Sequence, residues 1–261
     1  MTEAVIQAEV AKHGFATPLI RRFGNSDGRR YSVMDHVEGA TLFDADRLGA
    51  LRRIPNQLAD VMVALHDLDP APVKEALAAI DCASACDAQS VALADIDACL
   101  GVAGPTYQVV REWLSANRPP VTREVVCHGD LHALNILTNG GLSVIDWELA
   151  AIGDPAFDVA RTKLLMMAVP MELPPFARPL IQRFGRISAQ RFEQAYLAHS
   201  PMSSELICWY DVLHTTRIAV KVLAAHDEPQ RSNPVIAGWA PTLGLLTRRI
   251  ESLTGAQLGS S

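Results

Sequence analysis

Apolar residues recur at helical spacing from the start of the chain. Val5, Ile6 and Val10 mark one face of a helix predicted over residues 2–13, with Thr2 as its cap and Gly14 as its stop. Two strand-like runs follow, Leu19–Phe23 and Tyr31–Met34, joined by the hairpin signal Asn25-Ser26-Asp27-Gly28. Helical patterns cover residues 54–68 and much of the Ala- and Asp-rich stretch 74–100, and another runs from Pro105 to Ala116, with Pro119-Pro120 closing that region. Short strands are predicted at Glu124–Cys127, Ile136–Thr138 and Leu142–Ile145, the last two joined by an Asn139-Gly140-Gly141 turn. Beyond them the pattern is helical over 156–168, 176–198, 203–226 and 234–253, with Pro at 170, 174, 175, 201, 229 and 234 between or opening segments. No internal repeat is visible. The order predicts an α+β chain: a small mixed portion, then a mainly helical body interrupted by one hairpin.

The chemistry concentrates in residues 127–148, CHGDLHALNILTNGGLSVIDWE. Asp130 is followed five residues later by Asn135, and Asp146 closes the apolar run Leu142-Ser143-Val144-Ile145. Two acids and one amide on short strand–loop–strand connections suit the gripping of a magnesium–nucleotide, because magnesium takes oxygen ligands from one or two carboxylates plus phosphates and water. Asn135 and Asp146 can supply such oxygens, which leaves Asp130 to accept a proton from an attacking hydroxyl. The Asp-to-Asn interval equals that of the protein-kinase catalytic loop, and Asp146 stands where the metal-binding Asp of D-F-G would stand. Each residue also has a plain alternative: a loop-capping Asp130, a turn-forming Asn135, a helix-capping Asp146. Their joint occurrence favours the functional reading. His128 and His132 are four apart, but no Glu follows the first and a β-rich run precedes it, so a helical zinc motif is disfavoured.

These residues carry a family resemblance. His128-Gly129-Asp130-Leu131-His132, Asp146-Trp147-Glu148 and Gly153-Asp154-Pro155-Ala156-Phe157-Asp158-Val159-Ala160 resemble three successive motifs of the aminoglycoside/choline phosphotransferase family, small-molecule kinases with the protein-kinase fold. Weaker matches are Ser32–Gly39, similar to the hinge strand, and Val63-Ala64-Leu65-His66, similar to a helix end; the likeness spans about residues 3–225. It implies ATP and Mg2+ as cofactors and transfer of the γ-phosphoryl group to a hydroxyl of a small molecule. Asp130 would be the catalytic base, with His128 bracing the loop as the second catalytic-loop residue, and Asn135 and Asp146 would be the magnesium ligands. Glu148 is a candidate for a second metal. The Asp35 carbonyl and Val37 amide would read adenine at the hinge, and Leu137 and Ile145 would floor its site. Asp154 and Asp158 would organise the loop and cap the next helix. Trp209, Tyr210, Asp211, His214 and Arg217 lie on one predicted helix, with 210, 214 and 217 on a common face; that face either borders the acceptor or packs inward.

The family carries a nucleotide-covering loop and a Lys-bearing strand ahead of its first long helix. Here that helix begins at residue 2, Glu3 stands about where the Lys-pairing Glu would be, and the first Lys is Lys12 on the same helix. The expectation is a truncated small N-lobe and hinge over 1–37 and a helical C-lobe over 38–261, either because the true start lies upstream or because half the nucleotide lobe is lacking. A free strand edge near 19–23 would then invite self-association. A non-catalytic, pseudokinase-like binding protein is the alternative reading.

Bulk properties narrow the partners. The chain has 261 residues, 49% apolar and 20% charged, an ordinary globular balance. A net charge of −6 and no long Lys/Arg run argue against nucleic acid. The five cysteines form no CxxC pair, Cys82 and Cys86 read as small residues one helical turn apart, and free thiols fit a cytoplasmic setting. The N-terminus lacks the basic and apolar regions of a signal peptide, and the apolar run near 163–171 is too short to span a bilayer.

Overall fold

Val5, Ile6 and Val10 are buried along helix α1 (Thr2–Lys12), and Gly14 follows it in the left-handed region. The coordinates are a computed structural model describing residues 2–45, 50–138, 140–168, 176, 178–227, 236 and 238–258, except the side chains of 50 and 51. Asn139, Pro170, Pro174, Pro175, Pro229 and Pro234 of the predicted turns and breaks lie outside the described residues.

Strands β1 (Ile20–Ser26) and β2 (Arg29–Met34) form an antiparallel hairpin. The strands run longer than their apolar cores, so the connection shrinks to Asp27-Gly28, both at positive φ (52° and 75°), the geometry of a two-residue type I′ turn. Most of both strands is exposed. The segment between α1 and β1 docks on the rest of the protein: the Val144 amide donates to the Ala16 carbonyl (2.8 Å), and Thr17 Oγ1 donates to the Val144 carbonyl (2.8 Å).

A short strand β3 (Ala40–Thr41) and helix α2 (Leu42–Ala45) follow, then α3 (Ala50–His66), which begins four residues ahead of its predicted start and contains Pro55 in its second turn. The Ala- and Asp-rich stretch divides into α4 (Ala71–Ala78), a 3-10 turn Ala83–Cys86, α5 (Ala88–Asp97) and α6 (Leu100–Ala103). Cys82 precedes that tight turn and Cys86 ends it, so they do not share an α-helical face, and all five cysteines are unpaired. Helix α7 is Pro105–Ala116.

Strands β4 (Val125–Cys127), β5 (Ile136–Thr138), β6 (Leu142–Val144) and β7 (Ala151–Gly153) frame the motif region. They pair antiparallel as β3–β5–β6 and β4–β7, with Ile136 opposite Val144 and Val126 opposite Ile152. Helices α8 (Ala156–Met167), α9 (Arg178–His199), α10 (Ser204–Asp227) and α11 (Leu243–Thr254) complete the described body.

Two apolar cores result. One gathers α5, α7, α8, α10 and α11 around Phe157, Trp209 and Leu213; the other gathers α1, α3, α4 and β4–β6 around Leu58, Met62, Ile136 and Trp147. The catalytic-loop candidate lies between them, so its frame is fixed from both sides. Among the described residues no helix is long and apolar enough to cross a membrane.

Candidate active site

Residues 128–135 leave β4 as a loop, not a helix, so the two histidines of HGDLH lack the helical register a zinc motif requires. Gly129 sits at φ +79°, and a Cβ there would collide with the Leu149 carbonyl; only glycine allows this backbone approach. Asp158 holds the turn. Its Oδ2 accepts from the His128 amide and its Oδ1 from the Gly129 amide, both at 2.7 Å. Behind it, Tyr196 donates to His66 Nδ1 (2.7 Å) and His66 Nε2–H donates to Asp158 Oδ2 (3.2 Å). All three side chains are buried, so the charge of Asp158 is compensated by donors that cannot leave. Cys127 brings a third ligand-type atom beside His66 and Asp158, but these groups are already engaged in hydrogen bonds to one another or to backbone.

His128 is fully buried. Its Nε2–H donates to the Ile145 carbonyl (3.1 Å), its Nδ1 accepts from the Asp130 amide (3.3 Å), and its ring lies 4.8 Å from that of Trp147. Burial pushes its pKa down, so the ring is neutral with both nitrogens occupied. It braces the loop and is not poised to exchange protons with a substrate. Trp147 in turn donates to Thr17 Oγ1 (3.0 Å), linking the motif to the segment after α1.

Asp130 is partly exposed. Arg161 of α8 directs Nε (3.1 Å) and Nη2 (2.8 Å) to its Oδ1, while His132 Nε2 stands 3.7 Å from Oδ2. Burial would raise the carboxyl pKa, but His132 and Arg161 prevail and hold it well below the usual carboxylate range. Thr162, next on α8, donates to the Leu131 carbonyl (2.8 Å), so one helix fixes two consecutive loop residues.

Asn135 Nδ2 donates to the Asp130 carbonyl (3.0 Å), and the Ile145 amide donates to the Asn135 carbonyl (2.9 Å). These bonds gather Asp130, Asn135 and Asp146 at one end of the β5–β6 hairpin. Asp146 is exposed and adopts φ +65°, an uncommon conformation for a residue other than glycine. Glu148 is also exposed, two residues on. The oxygen-only set of Asn135 and Asp146 suits a hard divalent cation. Leu137 and Ile145 are half-buried on the same hairpin. Asp35 and Val37 lie at the end of β2, where the Asp35 amide donates to the Leu19 carbonyl (3.0 Å) and its side chain pairs with Arg21 (2.6 Å).

Asp154 receives Thr122 Oγ1 (3.0 Å) and the Ala156 amide (3.0 Å), fixing the entry to α8. The face of α10 read as a possible acceptor border instead packs into the helical core. Gln89 donates to Tyr210 (2.7 Å), His214 Nε2–H donates to the Phe157 carbonyl (2.9 Å), Arg217 pairs with Asp95 and Arg249 with Asp211. Sequence reasoning missed Arg161 and the role of Tyr196; neither sits in a recognisable spacing, and only α8 and α9 packing reveals them.

A family model described as the phosphotransferase enzyme family matches residues 2–198. The chain belongs to that family. Solved structures with a similar fold include an aminoglycoside 3'-phosphotransferase of type VIII (19% identity, 82% of this chain and 78% of that one covered, TM-score 0.58). They include an amicoumacin kinase in complex with AMP-PNP and Ca2+ (12% identity, 98% and 79% covered, TM-score 0.62). A thermostable aminoglycoside phosphotransferase mutant in complex with ADP and hygromycin B is also similar (16% identity, 99% and 84% covered, TM-score 0.56). The protein-kinase-like fold is thereby shared across the family members. A comparison with curated proteins finds no match.

Proposed function

We propose that the chain transfers the γ-phosphoryl group of ATP to a hydroxyl of a small molecule. Asp130 is the carboxylate that receives the acceptor hydroxyl, and Asn135 and Asp146 hold magnesium. The reading is carried by one observation: hydrogen bonds through Asn135 draw these three residues together while leaving the Asn135 side-chain oxygen and the Asp146 carboxylate without a partner among the described residues. Family membership and relatives solved with ADP or AMP-PNP support it.

Bound there, magnesium would offset the negative charge of the nucleotide phosphates. The protein's own part is mostly positioning. With Oδ1 of Asp130 fixed by Arg161, Oδ2 is the oxygen left to accept the acceptor's O–H, aligning its lone pair with the phosphorus. A carboxyl held this far below its usual range is a weak base. Proton transfer therefore comes late, as suits a loose phosphoryl-transfer transition state. The Asp35 carbonyl and Val37 amide would take the adenine edge, with Leu137 and Ile145 beneath it. Residues 1–37 would then form the nucleotide-side lobe and hinge, and residues 38–261 the lobe with the loop.

Calorimetric titration with ATP is the test. Binding should depend on magnesium, and Asp146→Ala should remove that dependence. Equal affinity in magnesium and in excess chelator would sink the metal assignment.

A further inference from the structure

Helix α8 leads from the loop to a cleft the mechanism above leaves unused. Arg161 holds Asp130; Leu164 follows at i+3 on the same helical face, roughly 5 Å further along the axis, and Ala168 caps the helix's end. Both line a cleft of about 220 Å3 closed by α9 and α11. Its floor is apolar, with Leu164 and Leu246 almost wholly buried. Its rim carries Arg186, Arg248 and Arg249, and among the described residues none that lines it is acidic. Asp211 pairs with Arg249, whereas no acidic side chain among the described residues pairs with Arg186 or Arg248. In a chain of net charge −6, this is a local excess of positive charge over an apolar floor.

Such a rim repels an ammonium and matches a carboxylate or phosphate, whose oxygens fit the guanidinium fork. The volume lies below the roughly 300 Å3 at which pockets for drug-sized ligands begin, so the occupant is short. We propose that this cleft binds a small molecule with an apolar body and an anionic head, and that this is the non-reacting end of the acceptor. The binding claim stands on the cleft; the acceptor claim rests on the phosphotransferase reading. The class differs from the cationic antibiotics that a likeness to aminoglycoside kinases would suggest.

Calorimetry of the full chain with hexyl phosphate, hexanoate, 1-hexanol and hexylamine tests the cleft. One anion should bind one-to-one, at least tenfold tighter than the alcohol or the amine, and the tighter anion identifies the head group. Arg186→Gln/Arg248→Gln should erase that preference; both side chains are exposed, so the fold should persist. Asp130→Asn should bind the anion as the wild type does. No anion binding, equal binding of hexylamine, or undiminished affinity in the double variant would overturn the site. For the acceptor claim, magnesium–ATP should phosphorylate 6-hydroxyhexanoate faster than 6-amino-1-hexanol; the reverse order, or no turnover of the acid, overturns it. Anion binding in a chain that fails to bind magnesium–ATP would retain the cleft and reject the phosphotransferase reading.

Discussion

Arg161 directs two of its nitrogens to a single oxygen of Asp130, at 3.1 and 2.8 Å, while the other oxygen lies 3.7 Å from His132 Nε2, beyond hydrogen-bond distance. This asymmetry defines which oxygen meets an acceptor. Arg161→Ala should therefore lower kcat by about 10²-fold, the scale of a misaligned reacting group, with a smaller change in the KM for ATP. Arg161→Lys should recover part of the loss. The acid side of the pH–rate profile should move upward in Arg161→Ala, because burial, which raises the Asp130 pKa, then meets less opposition. In the wild type the depressed carboxyl stabilises the fold above its unfolded value of about 3.9, and that contribution disappears as pH falls through the folded value. An unchanged profile in Arg161→Ala would show that Arg161 does not act through Asp130.

Asp130→Asn keeps the shape of the side chain and removes its charge. Phosphoryl transfer should fall by roughly 10²–10⁴-fold while ATP affinity stays near wild type; the fold should lose part of the stability that the Asp130 carboxylate gains from Arg161. Wild-type turnover on an accepted substrate would reject the assignment.

Asp158→Ala should be far more damaging to the fold than Asp130→Asn. It strips acceptors from two backbone amides and from His66, all buried, and each orphaned donor costs about 1–3 kcal/mol. Urea unfolding should show a loss of about 3 kcal/mol or more. A loss under about 1 kcal/mol would mean that water or rearrangement replaces the clamp.

His128 and His214 both have pKa values pushed down by burial, His214 well below its ordinary value. Their unfolded forms take up protons below about pH 6.5 while the folded forms resist, so stability falls as pH drops below that point. The slope reaches at most about 1.4 kcal/mol per pH unit for each histidine. Denaturation curves between pH 5 and 7.5 should show it, and His214→Gln should make it shallower. Stability that rises on acidification through this range would contradict the assignment of two neutral histidines.

The α+β order and the kinase-like fold were legible because motif and periodicity are local. Asp130, Asn135 and Asp146 lie within one short stretch, so their shared chemistry could be read before any packing was known. Strand β3 escaped because two residues carry no detectable alternation, and β7 because the Ala and Gly flanking Ile152 are poor strand formers. Pro55 hid the start of α3, since a proline ordinarily marks a helix's first turn. The polar face of α10 misleads for a different reason: the helix is buried on most sides, Asp211 and Arg217 pair with Arg249 and Asp95 inside the body, and His214 Nε2 bonds the Phe157 carbonyl. Arg161 looked like any helical arginine, because its partner lies 31 residues upstream and pairing across that distance leaves no spacing to read.

The relay from Tyr196 through His66 to Asp158 also has a bearing on synthesis. The loop at Asp130 is translated before Asp158 and 66 residues before Tyr196, an interval of roughly 3–13 s at ordinary ribosomal speed. Over the first 28 residues of that interval the glycine turn lacks its carboxylate, and over the whole of it the hydroxyl behind that carboxylate. A nascent or prematurely ended product that stops short of α9 thus contains every letter of the signature motif and lacks the scaffolding that gives the motif its shape.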